Sequence, residues 1–531
     1  METIVVAGAG TMGAGIALLA AHNGFDVVLV EPDASAQTRA LARLQKDAER
    51  LNDSPCVSRI RFVSAPEPVP GEAIAIEAVP ERPDLKEAVL KSLCSALGPQ
   101  ALVATNTSSL SVSELSHAVP EPERFLGLHF FNPPALMKLV EIVSGEETND
   151  ESIARARSFV QRLQRTPVLA EDTPGFIVNR VARPFYLQAM RAHEAGAAPA
   201  EDLDTLARGA GFRMGPFELM DLIGLDVNLA TSDSVYERTG AARLEPVQIQ
   251  RDLVAQNKLG RKTGSGFYDY SNGAPTHDDA APEVPGTLNE DEHVVIIGYD
   301  GIALELHERL SKAYANVELW QDEETLDRIP LEATIVIDIG DGATDRGWVL
   351  KALDSLLGPE TMLFADAYAT DIEAATKRLQ HPERVAGYGI LASLEHQNAV
   401  EIVDYEATSD DTLELAQELF ESIGRRVVLL EPVPGLFLGR VIGSIINEAV
   451  TAVEEGVATA DDVDLAMRLG TNYPQGPIEW GREIGGARLN RILKRLASAE
   501  GAAFGPHRAL YILDAEPQPE ADAGVEQVTG E

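Results

Sequence analysis

The chain opens with a run of β-branched and apolar residues, TIVVA at 3–7. A glycine cluster follows, then GIALLAAHNGF, whose apolar positions recur with the helical period until Gly24. The run DVVLVE comes next, and further strand-like runs lie at 73–79, 101–105, 125–130 and 139–143, with helical stretches between several of them. Strand alternating with helix predicts an α/β domain on a mostly parallel sheet over residues 1–171. After Pro174 and Gly175 the pattern turns helical, from FIVNRVARPFYLQAMRAHEAG onward, and predicts an α-helical domain over 172–270. Residues 271–290 contain no aromatic side chain and are rich in Pro, Gly and Asp, the composition of a linker. Residues 514–531, acidic and proline-bearing, read as a disordered tail.

The segment beyond the linker repeats the segment before it. RFLGLHFFNPPALMKLVEIV, starting at 124, parallels RVAGYGILASLEHQNAVEIV, starting at 384. GPQALVATNTSSL at 98 parallels GPETMLFADAYAT at 358, and Pro174-Gly175 parallels Pro434-Gly435, all at an offset of 260. GPFELMDLIG at 215 and GPIEWGREIG at 476 agree at 261, so one residue has been inserted. The expected architecture is a duplicated pair of domains, with a degenerate α/β domain over 291–431 and a second helical domain over 432–513.

At 531 residues the chain is long enough for several cores, and 45% hydrophobic with 24% charged residues is an ordinary globular composition. No apolar run approaches the ~18–20 residues of a membrane span, and the first apolar stretch has no basic segment ahead of it. Cys56 and Cys94 have neither metal-ligand spacing nor a histidine nearby in sequence, so no metal site is expected and a reducing cytoplasm fits. The net charge of -40 argues against nucleic acid and anionic membranes as partners. It also means that a nucleotide or thioester site must supply its own positive potential.

Gly8, Ala9, Gly10, Thr11, Met12 and Gly13 give G-x-G-x-x-G spacing between the first strand and the first helix, the setting of a Rossmann dinucleotide fingerprint. Gly8 serves the tight turn, Gly10 the approach of the pyrophosphate, and Gly13 the packing of helix on sheet. Glu31 closes the second strand, where a carboxylate accepts from ribose hydroxyls and repels a 2′-phosphate, favouring NAD over NADP.

The segment from Leu128 to Pro134 sets His129 at the end of an apolar strand, where the sheet borders the cofactor cleft. Imidazole suits the removal of an alcohol proton near neutral pH, and Glu141 on the following strand is placed to orient it. The second copy has Gly389 at the position of His129, Ala392 at Asn132 and Tyr368 at Ser108, but keeps Glu401 at Glu141. The polar set is gone while the frame remains, as expected if those residues serve chemistry. Thr105 to Ser109 present hydroxyls and an amide at the same sheet edge, and also suit a simple Ser/Thr turn.

The fingerprint, EAVPE, TNTSSL, HFFNPPALMKLVEIV, DTPGFIVNR, GPFELMDLIGLD and GRKTGSGFY together resemble the 3-hydroxyacyl-CoA dehydrogenase family over about residues 1–270. The resemblance implies NAD as cofactor, an acyl-CoA substrate, His129 as general base and Glu141 as its partner. It further implies Ser108 as a ligand of substrate and cofactor, Asn179 near the thioester, and Glu81, Lys86, Asn132 and Lys262 at or near the NAD. The second half is similar to the reduced repeat of longer bacterial members, of the 3-hydroxybutyryl-CoA or 3-hydroxyadipyl-CoA type. There Gly298, Asp300 and Ala303 stand opposite Gly8, Gly10 and Gly13, and Asp300 would repel a pyrophosphate, so one active site per chain is expected. Helical domains pair across a dimer in shorter relatives, which leaves two possibilities: homo-oligomerisation, or a duplicate that supplies the same surface within one chain. A polar end on the acyl chain would require a donor such as Arg183 or Arg213. Two other readings stay open at this point: a superfamily oxidoreductase acting on a free hydroxy acid, and an NAD-binding sensor without catalysis.

Overall fold

The structure is a computed structural model that describes residues 2–69, 72–277, 280–284, 289–321, 323–340 and 344–514. Part of the 271–290 linker and residues 515–531 of the expected tail lie outside the described residues; Asp514 closes a 3-10 turn that begins at Arg508.

Strands β1 (Thr3–Ala7), β2 (Asp26–Val30), β3 (Ile60–Val63), β4 (Ala73–Glu77), β5 (Leu102–Thr105), β6 (Phe125–Phe130), β7 (Leu139–Ser144) and β8 (Thr166–Glu171) form one sheet in the order β3-β2-β1-β4-β5-β6-β7-β8. Adjacent strands run parallel except β6 and β7, because residues 131–138 are too short for the crossover that a parallel pair requires. The central strands are buried on both faces, so they read as continuous apolar runs in the sequence. The two edge strands, β3 and β8, are half-exposed and polar in part, and carried no comparable signal.

The second sheet comprises β9 (Asn289–Ile297), β10 (Tyr314–Trp320), β11 (Ile335–Asp338), β12 (Met362–Asp366), β13 (Val385–Gly389), β14 (Ala399–Val403) and β15 (Arg426–Leu430), in the order β10-β9-β11-β12-β13-β14-β15. It is the first sheet without the β3 edge, again with one antiparallel pair, β13 and β14. Strand β9 takes in Asn289 and Glu290, the last residues of the span read as linker.

The two helical domains pack against each other about an approximate two-fold axis. The N–H of Glu171 donates to the carbonyl of Val457 at 2.9 Å, and its counterpart 260 residues on, Glu431, donates to Ala197 at 2.9 Å. The helix Phe437–Glu454 is buried over nearly its whole surface, wedged between its own domain and the helix Arg183–Glu194. Phe212 of the first unit meets Tyr473 and Trp480 of the second at ring-centroid distances of 5.0 and 5.6 Å. The helical faces therefore bury their apolar surface within one chain, the main driving force for holding the duplicate in place. Among the described residues no helix is long and apolar enough to cross a membrane.

Candidate active site

The turn after β1 is shaped by three glycines with different duties. Gly8 has φ +102°, and a Cβ there would lie 2.7 Å from the carbonyl of Ala78. A Cβ on Gly13 would lie 1.9 Å from the carbonyl of Gly8, whereas one on Gly10 would meet nothing within 4 Å. Gly10 thus faces open space, a cavity of about 840 Å³ lined by Gly8 to Met12, Glu31 and Val79. The helix Thr11–His22 begins at Gly10 without a side-chain cap, so its first N–H groups are left for an anion. Arg39 and Arg43 line the same cavity and supply the local positive potential that a nucleotide requires on so acidic a protein. Glu31 accepts from the N–H of Ala9 at 3.2 Å and of Asp33 at 3.1 Å, fixing its carboxylate at the end of β2. Uncapped helix, bare Gly10 and flanking arginines fit a dinucleotide.

Below this cleft lies a buried polar cluster that joins Glu81 and Lys86, both expected near the cofactor, to Glu77 and the Thr107–Ser109 turn. The Lys86 ammonium donates to both oxygens of Glu77, at 2.9 and 3.0 Å, and stands 3.2 Å from Glu81. Lys86 is therefore held under the cleft by two acids. Glu81 in turn accepts from the N–H groups of Ser108 and Ser109, at 3.0 and 3.2 Å, and from the hydroxyls of Thr107 and Ser109. Burial would raise the Glu81 carboxyl, but the Lys86 charge and those hydroxyls outweigh it and hold it below the usual glutamate value. The Ser/Thr-rich turn is thus a cradle wrapped around one carboxylate. Glu77, the last residue of β4, was not among the expected site residues.

His129 and Glu141 are direct partners across the antiparallel β6 and β7. Nδ1 of His129 lies 2.6 Å from Oε2 of Glu141, both groups being buried, and the imidazole is flanked by Phe131 and Phe176. The other oxygen of Glu141 accepts from the N–H groups of Ile177 and Val178, at 3.1 and 2.9 Å, where the helical domain begins. Glu141 therefore both holds the imidazole and fastens the second domain to the sheet.

A second cavity of about 590 Å³ adjoins the first, sharing Thr11, Met12, Ala78 and Val79 with it. His129, Ser108, Asn132 and Asn179 all line it, and Asn179 Nδ2 donates to the Ser108 carbonyl at 3.4 Å. The structure thus brings together four residues that lie up to 71 positions apart. Its far wall includes Arg183, Tyr186 and Asn228, and, from the second unit, Gly470 and Thr471 at the end of the helix Ala460–Thr471. No sequence signal pointed to those last two. Lys262 lies outside both cavities, paired with Asp226 at the start of the helix Leu225–Thr239, and Arg213 is exposed and lines neither. Cys56, without a histidine nearby in sequence, is brought in space beside His22 and Asp53. Asp53 is bonded to His22 at 2.7 Å, and burial with the nearby Asp53 charge raises the thiol, which opposes a metal thiolate.

The corresponding place in the second unit is filled by side chains. Tyr368, at the position of Ser108, donates its hydroxyl to Oε2 of Glu401, so a phenol takes the place of the imidazole. A Cβ on Gly389 would lie 2.7 Å from that same oxygen, and one on Gly439, the counterpart of Asn179, 2.5 Å from the Tyr368 ring. The ring occupies the volume that the His129 and Asn179 side chains take in the first unit. Arg488, standing where the first unit has Val227, caps it with bonds of 2.6 Å to Asp366 and 2.7 Å to the Ile390 carbonyl. Asp300 accepts from the N–H of Ala303 at 2.9 Å and so closes the helix N-terminus that Gly10 leaves open in the first unit. Glu401 still accepts from the N–H groups of Phe437 and Leu438, at 2.7 and 2.9 Å, which accounts for its retention.

The pattern of the 3-hydroxyacyl-CoA dehydrogenase NAD binding domain matches residues 3–173 and again 325–433, and that of the 3-hydroxyacyl-CoA dehydrogenase C-terminal domain matches 175–270 and 435–517. A 3-hydroxyadipyl-CoA dehydrogenase of Escherichia coli K12 is 34% identical over 511 residues, covering 93% of this chain and 94% of that protein. The mitochondrial hydroxyacyl-coenzyme A dehydrogenase of Rattus norvegicus is 38% identical over 287 residues, 51% of this chain and 91% of the relative. A crystal structure of a 3-hydroxybutyryl-CoA dehydrogenase from Escherichia coli K12 superposes with a TM-score of 0.74 at 31% identity, covering 96% of this chain and 97% of the other.

Proposed function

The chain belongs to the 3-hydroxyacyl-CoA dehydrogenase family and is an NAD-dependent oxidoreductase, and from that premise we propose that it oxidises the 3-hydroxyl of an acyl-CoA in the cleft of its first unit, with His129 as base. The observation that carries this reading is the buried His129–Glu141 pair at 2.6 Å, opening on the cavity beside the glycine turn. With Nδ1 engaged by Glu141, Nε2 is the ring nitrogen left to accept the hydroxyl proton, and the carboxylate stabilises the imidazolium that forms. As the proton moves to Nε2, C3 loses its hydrogen with the bonding pair and the carbonyl forms. NAD, when bound, supplies the hydride acceptor.

The first unit's residues also position and shield. Glu81 fixes the backbone of Ser108 and Ser109, and Asn179 tethers that turn to the helical domain, so the polar groups around the reacting carbon are held before substrate arrives. Phe131 and Phe176 pack on the imidazole and limit water around it.

The test is NADH formation by the full chain with 3-hydroxyacyl-CoA esters and with the corresponding free acids. Turnover of the esters is expected, and His129→Ala should lower kcat by roughly 10²–10⁴-fold while the protein still binds NAD. A variant as active as the parent, or turnover of free acids alone, would count against the proposal.

A further inference from the structure

Among the described residues, six arginines are no more than 5% exposed: Arg180, Arg183, Arg346, Arg384, Arg440 and Arg488. Five of them meet a carboxylate, namely Glu448, Asp338, Asp354, Glu500 and Asp366 respectively. Arg183 meets none. Its Nε donates to the Asn179 carbonyl at 2.8 Å, and its Nη1 to the Ser232 hydroxyl at 3.2 Å and the Asn228 carbonyl at 3.5 Å, all neutral oxygens. Its Nη2 makes no hydrogen bond among the described residues, and the guanidinium lies 4.9 Å from the centre of the Tyr186 ring. A buried cation without a counter-ion is costly, and it is kept where an anion completes the site.

Arg183 also lines the same cavity as His129. Burial holds its guanidinium below the usual arginine range, and among the described residues Tyr186 and Tyr473 act against this and no carboxylate does. Tyr473 comes from the second unit, directly after the helix whose Gly470 and Thr471 close the cavity, and its hydroxyl is buried without a hydrogen-bond partner among the described residues. A chain of net charge -40 repels anions at long range, so a local cation of this kind is what would let an anionic group settle in the cleft.

We propose that Arg183 receives a carboxylate at the far end of the acyl chain, so that the enzyme selects dicarboxylic 3-hydroxyacyl-CoA substrates over those ending in a methyl group. Arg183 is then a specificity residue, and the second unit contributes by closing the pocket around it. This rests on the assignment of the cleft to the acyl-CoA given above.

The matched probes are 3-hydroxyadipyl-CoA and 3-hydroxyhexanoyl-CoA, equal in length and differing in the terminal group. The full chain should prefer the adipyl ester at least about tenfold in kcat/KM, mainly through KM, as a charge-assisted hydrogen bond implies. Arg183→Gln should abolish that preference, and Arg183→Lys, which keeps the charge but loses the fork, should leave part of it. Equal use of both esters by the parent enzyme, or an equal loss on both in Arg183→Gln, overturns the inference. The parent comparison decides the matter even if a variant does not fold. Failure to oxidise either ester would instead overturn the assignment of the cleft, so the two failures are distinguishable.

Discussion

Arg180 of the first unit donates from Nε to Oε1 of Glu448 in the second at 2.7 Å, with both side chains buried. The two-fold-related pair, 260 residues on and back, is Arg440 with Gln188 at 3.2 Å, so the interface is symmetric in shape but not in charge. Glu448 also holds Arg243 at 2.6 Å. Burial would raise its carboxyl, yet the two guanidinium groups hold it below the usual value. Glu448→Ala removes the buried acceptor of both cations, leaving Arg180 only the half-exposed Glu455 at 2.6 Å. A loss of about 3–5 kcal/mol is expected, measured by denaturant unfolding, and unchanged stability would show that the pair is not holding the units together.

The glycine turn separates folding from cofactor binding. In Gly10→Ala the new methyl meets nothing in the protein, so stability should be unchanged while the KM for NAD rises on the order of tenfold, about 1.4 kcal/mol of lost binding. In Gly13→Ala the methyl runs into the Gly8 carbonyl, and a destabilisation of about 1–3 kcal/mol is expected instead. Thermal melts and NAD titrations on the two variants check this; the reverse ranking would mean that the turn has been assigned the wrong way round.

Burial pushes Glu401 from 4.5 up to about 7. The folded state therefore holds this proton more tightly than the unfolded state, which costs nothing below pH 4.5, costs progressively more as pH rises to about 7, and is constant above that. Glu401→Gln cannot ionise. Relative to the parent, the variant should gain stability between pH 5 and pH 8 by an amount on the order of 3 kcal/mol. Tm differences measured at those two pH values decide it, and a difference that does not change with pH would show that Glu401 does not titrate over that interval.

The glycine fingerprint, the histidine strand and the internal repeat were all visible as patterns, because each follows from a local rule: φ > 0 at a turn, a strand buried on both faces, or identity at a fixed offset. The role of Glu141 was half visible. Its retention as Glu401 was visible without its reason: in both units the carboxylate binds the backbone N–H groups that open the helical domain, and a backbone donor has no letter in the sequence. The loss of polar residues in the second unit was legible, whereas its consequence, Tyr368 and Arg488 filling the vacated space, depended on volumes that only packing specifies.

By itself, then, the sequence determined the family, through motifs spread over residues 1–270, and the cofactor turn and central strands of the first unit, which short-range periodicity and conformational preference set. The tertiary structure decided which groups meet: Lys86 with Glu77 and Glu81, Arg183 buried without an acid among the described residues, and Gly470 and Thr471 brought from the second unit to wall the cleft of the first. Gly470 and Thr471 reach that cleft from far along the chain, and they do so only because the apolar faces of the two helical domains are buried against each other.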